Sequence, residues 1–298
     1  MSQFDQLHRY IFDTVNVRGE LVQLQHSYQA ILDAQGYPKS VSQLMGELMA
    51  ATSLLTATLK FEGDIAVQVQ SDGIVKYAVV NGTHDQKMRG TARWDQAVEQ
   101  IPTELNQLLP KGVLVITITP TKGERYQGMV SLDKPTLAEC LEAYFAQSEQ
   151  LATKIVLKTR TEGDNPMAGG LFLQVLPTSS EVSDVTERPE FTHLSTLTET
   201  ISEDELLGLS AAEVLHRLYH QEDIQVYEPQ VVEFKCTCSK ERSAAALLNV
   251  DKQELLDIVA QEGAVTLNCQ YCHTQYSFDG IDVESIHGGA YTQPSTTQ

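Results

Sequence analysis

Four of the five cysteines fall in the last 63 residues, as Cys236-Thr-Cys238, thirty intervening residues, then Cys269-Gln-Tyr-Cys272. A tetrahedral site of four thiolates has metal–sulfur bonds of ~2.3 Å, so its sulfurs stand roughly 3.8 Å apart, a spacing that two close cysteine pairs supply without long-range strain. Thiolates are soft donors, which favours zinc over magnesium or calcium. All four are the candidate zinc ligands, with His273, adjacent to Cys272, as a replacement for one sulfur. A purely structural zinc ribbon is the plain reading of such pairs. Two features favour redox chemistry instead: Cys-x-Cys is uncommon in zinc knuckles, and the members of each pair are close enough to oxidise together once the metal has gone. Structural zinc supplies ~10–16 kcal/mol of folding free energy to a small domain. A disulfide closing a loop of three or four residues returns only ~2 kcal/mol. Oxidation is therefore expected to unfold the segment that these cysteines organise.

Cys140 falls on the apolar side of a helical pattern with Leu137, Leu141 and Tyr144, and reads as an inert core thiol. His216 and His220 are spaced i,i+4, but no HExxH glutamate or third ligand accompanies them, so a helix-face reading is favoured. The chain has no phosphate-binding loop of the GxxxxGK[ST] type, no GxGxxG after a strand and no GxSxG elbow. Nothing in it supports ATP-driven or hydrolytic work.

The 298 residues carry 21 Lys+Arg against 40 Asp+Glu, a formal charge of -19. An acidic chain is a poor partner for a phosphate backbone, which excludes nucleic acid. The imbalance is local: residues 181–230 hold 2 basic and 12 acidic groups. No secretory h-region opens the chain and no run of 18 apolar residues occurs, so no membrane association and a cytoplasmic location are expected.

These cysteines need elements to hold them. Strand patterns cover Val17–Leu24, Asp64–Gln70, Val75–Asn81, Val113–Thr119, Arg125–Leu132, Lys154–Thr159 and Gly170–Leu176. Helical patterns cover His26–Asp33, Pro38–Leu59 and Thr136–Leu151. Pro38–Leu59, with Glu47 as its sole interior charge, reads as the central buried helix. Thr136 with Glu139, Ser202 with Glu205 and Ser210 with Glu213 all have capping-box spacing. The two short helices that follow Ser202 and Ser210 are marginal alone, because about ten residues cannot repay helix nucleation in water. The fold class is α+β: an N-terminal mixed domain of β-sheets packed on helices (1–178), an acidic and metastable helical linker (179–230), a small C-terminal four-cysteine zinc domain (231–287) and a flexible tail (288–298).

The cysteine pattern, together with VRGELVQL (17–24), YQGMVSL (126–132), YFAQSEQLATKI (144–155) and GGLFLQVLP (169–177), resembles the 33 kDa chaperonin family of redox-regulated heat-shock chaperones. The resemblance covers essentially the whole chain. It implies an ATP-independent holdase of the oxidative stress response, not an enzyme, that binds one zinc ion when reduced and inactive. On oxidation it implies disulfides Cys236–Cys238 and Cys269–Cys272, zinc release and unfolding of the linker. The implied partners are unfolding client proteins, an Hsp70-type foldase that takes over clients for refolding, and a second copy of the chain in an active homodimer. Residues Leu206, Leu207, Leu215 and Leu218 are then candidate client contacts. The alternative is a thiol-disulfide oxidoreductase, weakly supported by Cys-x-x-Cys, which is not placed between a strand and a long helix as a thioredoxin-like site requires.

Overall fold

The computed structural model describes residues 3–58, 62–163, 165–176 and 189–290. The chain forms two compact units, Met1–Lys235 and Cys236–Gln298. In chain order the first unit runs β1 (Gln6–Phe12), β2 (Val17–Leu24), α1 (His26–Asp33), α2 (Lys39–Ala57), β3 (Gly63–Gln70), β4 (Val75–Thr83), β5 (Lys87–Trp94), α3 (Leu105–Leu108), β6 (Val113–Pro120), β7 (Tyr126–Ser131), α4 (Leu137–Ser148), β8 (Thr153–Arg160) and β9 (Met167–Val175). It continues through α5 (Pro189–Glu199), α6 (Glu203–Gly208), α7 (Ala211–Tyr219), β10 (Gln225–Val226), β11 (Gln230–Val231) and β12 (Glu233–Phe234). Two sheets result, one ordered β10-β1-β2-β9-β8 with β11 also on β1, the other β12-β5-β4-β3-β6-β7.

Helix α2 lies between the sheets and packs on strands of both. From Ser40 to Thr56 every residue except Gln43 and Glu47 is buried, the all-round burial that a nearly uncharged helix implies. Its polar side chains are satisfied within the core: Thr52 donates to the Leu48 carbonyl, Thr56 to that of Thr52, and Ser53 to Gln86 Oε1. Gly46 is required by close approach, since a Cβ there would stand 2.7 Å from Thr159 Cγ2 and 3.0 Å from the Tyr28 ring.

In this unit β1, β5 and α5 escape the sequence patterns, as do the short α3 and β10. β1 (QLHRYIF) is interrupted by His8 and Arg9, β5 (KMRGTARW) carries three basic residues, and β5 buries small residues where a strand pattern looks for large ones. Gly90 in β5 leaves room for Met45, whose Cε would lie 2.7 Å from a Cβ at that position. Helix α5 is rich in threonine and buries only Leu194 and Thr198. Its neighbours α6 and α7 start as expected, on complete capping boxes from Ser202 and Ser210.

The docking surface that these short helices need is the outer face of the first sheet. Tyr10, Phe12, Leu21, Leu171 and Leu173 from the sheet pack with Leu194, Leu206, Leu207, Val214, Leu215, Leu218 and Tyr219 from the helices in one apolar cluster. Leu206, Leu207, Leu215 and Leu218 are thus all buried. Buried Gln23 of β2 donates to the carbonyls of Leu206 and Leu209 at 2.6 and 2.8 Å, holding the end of α6. Around this cluster the acidic side chains meet the basic edge strand: Arg160 bonds Glu203 and Asp204, and Lys154 pairs with Glu199. The part of the acidic segment between 179 and 188 lies outside the described residues, as does the tail beyond 290.

The second unit contains α8 (Lys240–Leu247), α9 (Lys252–Glu262), the antiparallel hairpin β13 (Val265–Asn268) and β14 (Gln275–Phe278), and α10 (Gly280–Ser285). Its core is seven buried residues: Ala244, Leu247, Leu255, Val265, Phe278, Val283 and Ile286.

Candidate metal and redox centre

Cys236 and Cys238 lie in the segment that leads into α8, whose N-cap Ser239 accepts from the Arg242 amide. Cys269 and Cys272 sit on the turn that joins β13 to β14. There the Cys269 amide donates to the Thr274 carbonyl and the His273 amide to the Cys269 carbonyl, at 3.0 and 2.9 Å. His273 takes a left-handed φ of 55° to close this turn.

The turn and the α8 leader bring four sulfurs within 4.8 Å of one another. Cys236 Sγ is 3.6 Å from Cys269 Sγ, and Cys238 Sγ is 3.4 Å from Cys272 Sγ. These separations match the edge of a tetrahedron with metal–sulfur bonds of ~2.3 Å, so the donor set fits a soft metal ion. His273 is not in the convergent group, and no sulfur is replaced by nitrogen.

The four thiols are not equivalent. Burial pushes Cys236 up to about 12 and raises Cys269. At Cys272 burial acts the same way but is overcome: the Thr274 hydroxyl and amide and the thiols of Cys238 and Cys236 donate to its sulfur and bring it down to about 6. The Tyr276 hydroxyl donates to Cys238 Sγ at 3.2 Å, and Thr274 Oγ1 lies 3.2 Å from Cys272 Sγ. Such contacts orient ligating sulfurs. Sequence reasoning did not single out Thr274 or Tyr276, whose one signal is that they follow the second cysteine pair in β-forming types.

Cys140 is fully buried in the main core on α4, and burial raises its thiol. His216 and His220 are both exposed on or beside α7, with ring centroids 6.0 Å apart, and belong to no group of three ligands among the described residues. No helix among those residues is long and apolar enough to cross a membrane.

Comparison with known proteins shows the family. The model of the family described as Hsp33 protein matches residues 5–279. The chain is 63% identical to the 33 kDa chaperonin of Pseudoalteromonas atlantica over 97% of each chain. It is 53% identical to that of Photobacterium profundum over 96% of each. The crystal structure of the 33 kDa chaperonin from Thermotoga maritima superposes with a TM-score of 0.79 at 21% identity, covering 96% of this chain and 99% of the other, a likeness of fold. The relatives are named chaperonins, and the oxidoreductase alternative finds no support among them. With a four-cysteine centre at its C-terminal end and relatives matched over nearly their whole length, the chain belongs to the Hsp33 family of chaperones.

Proposed function

We propose that the chain is an ATP-independent holdase of the cytoplasm whose activity is switched on by oxidation of Cys236, Cys238, Cys269 and Cys272. The observation that carries this reading is the convergence of those four sulfurs within 4.8 Å in a unit with seven buried core residues among those described. In the reduced state the four thiolates hold one zinc ion. Bound zinc supplies cross-linking folding energy to a unit too small to be robust without it.

Oxidation then acts on the sulfurs. Two thiolates give two electrons to a peroxide, its O–O bond breaks to form water on protonation, and one S–S bond is made; a second pair repeats the step. We assign the disulfides Cys236–Cys238 and Cys269–Cys272. The shortest contacts run across the pairs, but those neighbours are held together only by the fold. Once the metal is lost and the unit opens, cysteines two and three residues apart still meet, while partners 33 and 34 residues apart face a larger loop-closure cost.

The acidic segment 179–230 acts as the metastable linker between an N-terminal chaperone domain (1–178) and the zinc switch (231–287). When it unfolds, Leu206, Leu207, Leu215 and Leu218 leave the first sheet and both partners of that apolar cluster become available to unfolding clients. The acids keep the resulting complex dissolved. The active form is a homodimer, and clients pass to an Hsp70-type foldase for refolding.

One preparation split in two tests this. Zinc content, free thiols and suppression of heat-induced aggregation are measured before and after peroxide at elevated temperature. Loss of one zinc per chain, loss of four thiols and gain of activity are expected together. Activity gained with zinc still bound, or zinc lost with no activity gained, overturns the mechanism.

A further inference from the structure

The segment from Gln225 to Lys235 is a strap laid along the edges of both sheets. β10 and β11 pair antiparallel with β1, in register Tyr10 with Val226 and Leu7 with Gln230. β12 pairs parallel with β5, Phe234 opposite Met88. Four strap amides donate to edge carbonyls: Tyr227 to Arg9 at 2.9 Å, Val232 to Asp5 at 2.9 Å, Glu233 to Gln86 at 3.0 Å and Lys235 to Met88 at 2.8 Å. Side chains alternate as on any strand. Val232 is 2% exposed and joins the main core with the half-buried Phe234, while Val231, Glu233 and Lys235 face outward.

The two carbonyls at the crossing point belong to residues in the left-handed region, Asp5 (φ 61°) and Gln86 (φ 60°). Neither depends on the strap for its position. The Asp5 carboxylate accepts from the amides of Gln25, His26 and Ser27 at the start of α1. Gln86, wholly buried, accepts from the Ser53 hydroxyl and donates to the Ser53 carbonyl on α2. A row of acceptors fixed from behind, beside a hole filled by Val232, is a preorganised site for strand addition. The strap holds it by pairings only two residues long, and the residue after Lys235 is the first cysteine of the redox centre.

We propose that the edge carbonyls of Asp5, Gln86 and Met88, with the hole filled by Val232, form a docking groove for an extended segment of an unfolding polypeptide, which takes the place of the strap by strand addition. The segment it accepts has alternating apolar residues, a branched aliphatic one at the Val232 position. This rests on the chaperone reading above, and places part of client capture on backbone hydrogen bonds rather than on apolar area alone. Freeing the chain at Cys236 untethers one end of the strap and leaves an unpaired edge, the kind of surface that pairs readily with another chain.

The test uses the full chain and a fluorescent peptide of sequence 225–235. The oxidised chain is expected to bind it at least tenfold more tightly than the reduced chain, and N-methylation of the Val232 and Glu233 nitrogens of the peptide should weaken binding at least tenfold. The reduced full-length variant Val232→Asp should bind the peptide without oxidation; Glu233→Pro, which deletes one strap amide, serves if the first does not fold. An oxidised chain that suppresses aggregation but ignores the peptide, or binds the N-methylated form equally well, overturns the groove and leaves the chaperone reading. Peptide binding without suppression of aggregation does the reverse. If the oxidised chain does neither, failure of both variants to bind the peptide overturns the groove.

Discussion

The core around α2 and the core of the C-terminal unit use the same kinds of side chain at very different scale. The first buries a 19-residue helix almost completely between two six-stranded sheets. The second gathers seven buried residues from α8, α9, a short hairpin and the chain around α10. By surface-to-volume scaling the first is large enough to stand alone, whereas a core of the second's size ordinarily relies on a cross-link, the role proposed for zinc. A chemical signal that removes a cross-link therefore has a specific address. The acidic helices α5–α7 stand between these extremes: they have an apolar face of their own but no core without the sheet on which they lie.

On the proposed zinc reading, removing the metal's ligation is the largest perturbation of this contrast. Cys269→Ser, or chelation, forfeits much of the ~10–16 kcal/mol that structural zinc contributes. Hydrogen exchange should show residues 236–290 losing protection while α2 and the central strands keep theirs. Equal loss in both units would break the comparison.

Leucine truncations come next. Leu48→Ala in α2 and Leu207→Ala in α6 both remove a fully buried side chain and should each cost about 2–5 kcal/mol. The consequences should differ. Leu48→Ala lowers the thermal midpoint of the whole first unit, whereas Leu207→Ala frees α5–α7 locally and lowers the amount of oxidant needed for aggregation suppression. Proteolysis mapped by mass spectrometry separates the two.

Glu20 offers a smaller effect inside the robust unit. It is 3% exposed in β2, its Oε2 has no hydrogen-bond partner, and burial pushes its carboxyl up to about 7 against the pull of Arg18 and Arg9. Because the folded value lies above the unfolded one of 4.5, the folded chain keeps a proton between about 4.5 and 7 that the unfolded chain has released. Stability falls as pH rises through that window and stays low above it. Glu20→Gln should therefore raise the thermal midpoint at pH 8, by ~3 kcal/mol of stability, and the gain should vanish near pH 4.5.

The smallest effect is Ser210→Ala. Ser210 accepts from the Glu213 amide while Glu213 bonds back to the Ser210 amide, and loss of such a cap costs about 1 kcal/mol. Circular dichroism should show a slight loss of helix, with α2 unaffected.

Much of the fold was legible where one physical signal dominated. The seven expected strands and α1, α2, α4, α6 and α7 carry β-branched runs, helical periodicity or capping boxes, all of them local. β1, β5 and α5 were not legible, because their burial is created by partners: Gly90 counts as a core residue only when Met45 is beside it. The four centre residues were named from spacing and type, since thiolate chemistry needs soft donors in close pairs. His273 as a substitute ligand could be set aside only when the β13–β14 turn, closed by its left-handed backbone, showed four sulfurs converging without it.

By itself the sequence determined which sulfurs are candidates to bind metal and which segment carries the excess of acid, because both follow from residue types in short windows. Only the tertiary structure decided what that segment rests on and how it is tied down. Leu206 and Leu207 find the outer face of the first sheet, and residues 225–235 find two sheet edges held ready by Asp5 and Gln86. Such contacts join residues as far as 227 positions apart, as from Asp5 to Val232. No local preference encodes them; they exist because burying apolar surface and pairing every buried amide leave this chain few other places to put those atoms.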